Sequence, residues 1–273
     1  IWMANYPIGI TIQNNRYPSY KWIKHSVGNK QSLINDQVNS IIEDSEGDLW
    51  YGTNNGISLQ DSKTGKWRSF LSTFENVQNS KNHIFTTLCE VSPGIIWAGG
   101  YFSGLYQIDK RTSKTTYFTP ASYAHESIRP DKYIRDIRKD SRGYVWSGGY
   151  YNLKRINVQT KDIRLYHGLH SVTAIIEKDD KSMWIGTATG LFLLDIESGK
   201  YERIQLPVES TYVYSLYQTK QGSLYIGTSG SGVLIYDPQT KLFTHYYTGN
   251  CAMISNNIYT ILSDEDNEIL LST

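Results

Sequence analysis

An aromatic-x-Gly motif returns at nearly even intervals along the whole chain, and this periodicity limits the fold more than any other feature. Five copies are clear: Leu49-Trp50-Tyr51-Gly52-Thr53, Ile96-Trp97-Ala98-Gly99-Gly100, Val145-Trp146-Ser147-Gly148-Gly149, Met183-Trp184-Ile185-Gly186-Thr187 and Leu224-Tyr225-Ile226-Gly227-Thr228. Degenerate copies stand at Ile1-Trp2-Met3-Ala4-Asn5 and Ile269-Leu270-Leu271-Ser272-Thr273. Positions 2, 50, 97, 146, 184, 225 and 270 are separated by 48, 47, 49, 38, 41 and 45 residues. A period of about 45 residues is that of propellers and solenoids.

The unit around each anchor reads as β-structure throughout. Around Trp50, residues 38–44 form an apolar-rich strand and Ser45-Glu46-Gly47 a turn whose Gly suits a positive φ. Residues 48–53 form a second strand, Asn54-Asn55-Gly56 a second turn, and residues 57–61 a third strand. Lys63-Thr64-Gly65-Lys66 turns again, and residues 67–70 form the fourth strand. Four short antiparallel strands per period make one propeller blade. A leucine-rich or helical solenoid needs a helix in every repeat, and no 3.6-residue apolar stripe is present. The expected class is therefore all-β, a β-propeller of four-stranded blades. Aromatics at 13%, with 22 Tyr and 22 Gly, suit such a fold. Lys and Arg number 27 against 26 Asp and Glu, a balance that disfavours nucleic acid or an anionic membrane as the main partner.

The frame holds elsewhere. Gly and an aliphatic follow the second turn at Gly9-Ile10, Gly56-Ile57, Gly104-Leu105, Gly190-Leu191 and Gly232-Val233, and Asn152 takes the glycine's place before Leu153. The third strand ends in Asp61, Asp109, Asn157, Asp195 or Asp237, each suited to an Asx-type turn. Residues 1–273 thus read as one propeller domain with five complete blades and partial blades at residues 1–25 and 257–273. Two counts remain open. The favoured one is a seven-bladed ring of which the chain is a fragment. The other is a six-bladed ring in which residues 257–263 complete the N-terminal blade.

The run Val38-Asn39-Ser40-Ile41-Ile42-Glu43-Asp44, then Gly47-Asp48-Leu49-Trp50-Tyr51-Gly52-Thr53, then Gly56-Ile57, resembles the two-component regulator propeller repeat. Similar runs precede Trp146 and Trp184, and the resemblance extends over essentially the whole chain. It implies the periplasmic sensor region of a hybrid two-component histidine kinase, often one controlling glycan-utilisation genes. It also implies a second propeller, a membrane helix and a kinase elsewhere in the same receptor, and a homodimer. It implies no cofactor for this segment.

Propeller ligands are expected on one face, at loops between second and third strands and loops entering the innermost strands. Most second-to-third loops are small, but Gly100-Tyr101-Phe102-Ser103-Gly104 and Gly149-Tyr150-Tyr151-Asn152 are aromatic. Tyr101, Phe102, Tyr150 and Tyr151 are therefore read as a stacking platform for an oligosaccharide, the alternative being packing between blades. On the innermost strands, Asn39 aligns with Thr86, Arg135, Thr173, Tyr214 and Tyr259. Arg135, beside Asp136, is the candidate receptor for a carboxylate or sulfate on an acidic sugar, the alternative being an internal ion pair.

Catalytic signatures are missing from the sequence. His25, His83, His125, His167, His170 and His245 are scattered, and no His-Glu-x-x-His, Cys-x-x-Cys or Gly-x-Ser-x-Gly occurs. Asp264-Glu265-Asp266-Asn267-Glu268 aligns with the routine turn Asp44-Ser45-Glu46-Gly47-Asp48, so it reads as a turn and not a calcium site. Cys89 and Cys251 are not expected to pair. The leading expectation is a non-catalytic sensor module, and the alternative is a propeller lyase or glycoside hydrolase acting on polysaccharide.

Overall fold

The structure is a computed structural model describing residues 2–5, 9–14, 17–71, 83–118, 132–264 and 267–273, with side chains from Trp22 onward. Ile1, His125, Glu265 and Asp266 lie outside the described residues. All regular structure among the described residues is strand. No helix there is long and apolar enough to cross a membrane.

The strands form sheets in chain order. The first sheet holds β1 (Trp2–Asn5), β2 (Gly9–Asn14) and β3 (Tyr17–Ile23). The second holds β4 (Val38–Glu43), β5 (Leu49–Thr53), β6 (Gly56–Gln60) and β7 (Trp67–Phe70). The third holds β8 (Ile84–Ser92), β9 (Ile95–Tyr101), β10 (Gly104–Asp109) and β11 (Thr115–Tyr117). The fourth holds β12 (Ile134–Lys139), β13 (Val145–Gly149), β14 (Leu153–Ile156) and β15 (Ile163–Tyr166). The fifth holds β16 (Val172–Asp179), β17 (Ser182–Thr187), β18 (Gly190–Asp195) and β19 (Tyr201–Ile204). The sixth holds β20 (Val213–Gln218), β21 (Leu224–Thr228), β22 (Val233–Asp237) and β23 (Leu242–Tyr246), and the last pair is β24 (Thr260–Ser263) with β25 (Ile269–Ser272).

Local chemistry sets the turns. Asp44 Oδ1 accepts from the backbone N–H of Glu46 and Asp48 at 3.0 Å, and its Oδ2 accepts from Trp50 Nε1 at 2.8 Å. Asp264 repeats the scheme, accepting from Glu268 N at 2.9 Å while its own N–H donates to Glu268 O at 3.1 Å. Asp61 Oδ1 accepts from the N–H groups of Lys63 and Thr64, and Asp109, Asn157, Asp195 and Asp237 cap their turns similarly. These are the Asx turns that the sequence predicts.

The chain divides into two compact units: residues 1–139, 143–147 and 156–163, and residues 140–142, 148–155 and 164–273. Within the first, Trp50, Leu59 and Phe70 of the second sheet pack on Phe85, Leu88 and Ile108 of the third. Trp97, Leu105 and Phe118 pack on Ile134, Ile137 and Ile156. Within the second, Trp184 and Leu191 pack on Val213, Leu216 and Tyr236. Within each unit these cores are thus layers between successive sheets. Trp50, Trp97, Trp146 and Trp184 are fully buried, so the motif's aromatic supplies apolar area to these layers.

The motif's glycine has an equally direct cause. A Cβ on Gly99 would lie 2.5 Å from Ile134 Cγ2, and one on Gly186 would lie 2.7 Å from Val213 Cγ1. Ile134 and Val213 open the innermost strand of the following sheet. Those strands carry bulges between Val38 and Ser40, Phe85 and Thr87, Val172 and Ala174, and Val213 and Ser215. In the first three the bypassed residue stitches one sheet to the next. Asn39 Nδ2 donates to Phe85 O at 3.1 Å, Thr86 Oγ1 to Ile134 O at 2.7 Å, and Thr173 Oγ1 to Val213 O at 2.5 Å.

Candidate functional site: aromatic rim loops

Three sheets close their second-to-third hairpin with a threonine. Thr53, Thr187 and Thr228 donate through Oγ1 to the carbonyls of Gly56, Gly190 and Gly232 at 2.8, 3.0 and 2.7 Å. Gly100 and Gly149 stand where that threonine would be, and both are followed by aromatic loops. A side chain on Gly100 would run into Ile84 O and the Phe85 backbone, so glycine alone lets β8 pair as far as Tyr101. The hairpin tip is then Tyr101-Phe102-Ser103. Phe102 has φ 59°, a left-handed conformation that costs a bulky residue about 1 kcal/mol. Buried Ser103 holds the tip by donating from Oγ to Ile84 O at 2.9 Å.

The tip meets Tyr133, which bridges Tyr101 through the backbone just ahead of β12. The Tyr101 ring lies 4.7 Å from Phe102 and 4.9 Å from Tyr133, both edge to face, and Phe102 lies 4.6 Å from Tyr133. Tyr101 and Phe102 stay 49% and 46% exposed despite this packing. Mutual support of this kind fixes ring orientation while leaving ring surface in water.

Tyr150 and Tyr151 form their own edge-to-face pair at 5.2 Å, 61% and 42% exposed, in the second compact unit. Tyr150 O accepts from Ser171 N at 3.2 Å. Arg135 is exposed on β12, two residues after Tyr133. Buried Asp136 pairs with Arg138, Nε to Oδ1 at 3.2 Å. Residues two apart on a strand share a face, which brings Arg138 to Asp136. No motif in the sequence singles out Tyr133, the third member of this cluster. Its only signal is its place in a loop entering an innermost strand.

Among the described residues no group of three His, Cys, Asp or Glu side chains is arranged to hold a metal ion. Cys89 and Cys251 are free thiols, and burial pushes the Cys89 thiol up.

Residues 32–55 and 207–230 match the two-component regulator propeller family. No curated protein matches the chain. Among solved structures, the extracellular domain of the hybrid two component system BT3049 from B. thetaiotaomicron is 19% identical with a TM-score of 0.63, over 100% of this chain and 42% of that one. The extracellular domain of the one component system BT4673 from the same organism is 19% identical with a TM-score of 0.73, over 100% of this chain and 37% of that one. Virginiamycin B lyase from Staphylococcus aureus is 14% identical with a TM-score of 0.75, over 96% of this chain and 84% of that one. The chain spans less than half the length of either B. thetaiotaomicron protein. At such identities the likeness establishes fold and not activity. The chain is an all-β protein of the β-propeller class in which residues 32–55 and 207–230 match the two-component regulator propeller.

Proposed function

We propose that the chain is a non-catalytic, extracytoplasmic sensing propeller of a hybrid two-component receptor and that its ligand is a carbohydrate fragment. The carrying observation is the Tyr101–Phe102–Tyr133 trio, whose rings brace one another while Tyr101 and Phe102 stay about half exposed. Braced aromatic faces take the apolar C–H face of a sugar ring with little loss of side-chain freedom. Tyr150 and Tyr151 supply a further aromatic patch, and Arg135 reads a carboxylate or sulfate on acidic sugars. In the full receptor this propeller sits on the periplasmic side, beside a second propeller, in a homodimer whose kinase domain carries the signal. The lyase or glycoside hydrolase reading draws on the fold shared with virginiamycin B lyase, a likeness of fold alone at 14% identity.

A thermal-shift screen of neutral and acidic oligosaccharides tests the proposal. At least one is expected to raise the melting temperature, and Tyr101→Ala with Tyr133→Ala is expected to weaken it about tenfold or more, roughly 1.4 kcal/mol. Arg135→Gln should weaken acidic ligands only. A shift that survives unchanged in the double variant, or no shift with any oligosaccharide, defeats the reading.

A further inference from the structure

We infer that Tyr212, Tyr214 and Tyr259 form a second stacking site, separate from the Tyr101 cluster, for an oligosaccharide run; this rests on the reading of the chain as a carbohydrate sensor. The three rings stand in series. Tyr214 lies 4.8 Å from Tyr212 and 5.0 Å from Tyr259, tilted by 49° and 43°. Tyr259 is 52% exposed and the other two are half-buried, so the row borders water. Its backbone is anchored from below. Val213 and Ile258, the residues preceding Tyr214 and Tyr259, are fully buried. Tyr212 O accepts from Ser229 N at 3.0 Å, and Tyr259 N donates to Ser272 O at 2.9 Å.

The repeat does not require a ring at two of these positions. Tyr214 and Tyr259 occupy the position of Asn39, Thr86 and Thr173, whose side chains bond the carbonyl of the next sheet. At Tyr214 that duty has passed to its neighbour: Ser215 Oγ donates to Ile258 O at 3.3 Å. Two successive repeats have therefore exchanged a small stitching residue for a large ring, and one of them has moved the stitch aside. Three rings in series offer more surface than a single sugar ring covers, which favours a run of sugars over a monosaccharide. Tyrosine suits the task, being rigid, amphipathic and limited to two side-chain torsions.

The substitutions Tyr214→Thr and Tyr259→Thr restore the residue type that the repeat uses elsewhere. They are expected to leave the melting temperature within about 2 °C of wild type. Saturation-transfer NMR on the whole chain, with a pool of neutral tetra- to octasaccharides as probe, reads binding. Sugar-ring signals are expected with wild type, at least fivefold weaker with the double Thr variant, and at least half retained in Tyr259→Phe, which keeps the ring. The Tyr101→Ala, Tyr133→Ala variant should keep part of the signal. Undiminished signal in the double Thr variant overturns the second site and leaves the sensor reading standing. No signal in wild type overturns both. A signal lost only together with a large fall in melting temperature makes the row a packing unit and overturns the site.

Discussion

Lys110 joins two sheets through one ammonium group. Its side chain is 6% exposed, and Nζ meets Asp44 at 2.6 Å, Glu46 at 2.7 Å and Asp48 at 2.8 Å. Burial works against every charge here, yet the hydrogen bonds from Lys110, with those from Trp50 and Ser62, prevail. Asp44 and Asp48 are held below the usual carboxylate range and Lys110 above the usual lysine range. Because the carboxylates' folded values are lowered, their contribution is complete above the unfolded value of 3.8 and drains as pH falls through the folded values. The Lys110 contribution is complete below 10.5 and is lost only as pH rises through its raised value. Lys110→Met strands two buried carboxylates and is expected to cost about 3–5 kcal/mol by urea denaturation at pH 7. The hydrogen bonds from Trp50, Ser62 and the Glu46 and Asp48 backbone still oppose burial, so the two carboxylates are held less far down than in wild type, and the variant should lose less stability than wild type as pH falls below 4. The acidic turn is legible in the sequence, but its cation is not, because Lys110 stands 66 residues beyond Asp44.

At the scale of strands, the motif glycine and the next innermost strand form one contact. Gly186 does not have positive φ, so only space forbids a side chain there. Gly186→Ala is expected to destabilise by about 1–3 kcal/mol through overpacking against Val213. Val213→Ala in the same chain should restore part of that loss, and a double-mutant cycle by thermal denaturation reads the coupling. Periodicity and turn residues place these elements well. The strand expected at residues 67–70 is β7, and the one expected at 48–53 begins one residue later, at Leu49. Alternation alone does not reveal a bulge, since the inserted residue changes face without changing the residue types around it. Asn39, Thr86 and Thr173 therefore align in the sequence without showing that they bond the next sheet. Tyr133 escapes for a similar reason: it meets Tyr101 across 32 positions of chain, through a single isolated bridge.

For the molecule as a whole, the sequence carries the repeat and the aromatic loops more plainly than the chemistry they serve. Tyr101 and Phe102 are visible as departures from a short-loop pattern because Gly100 replaces the hairpin-closing threonine. Their exposure and bracing depend on folding, and so does the row at Tyr214. On the proposed function, this propeller binds carbohydrate and leaves it unchanged. The most direct test immobilises the chain, passes a mixed oligosaccharide pool over it, and follows retained and unretained sugars by mass spectrometry over time. A subset is expected to be retained at unchanged mass, and Tyr101→Ala with Tyr133→Ala is expected to release part of it. Retention of nothing, or a steady appearance of shortened or unsaturated products, would contradict the proposed function.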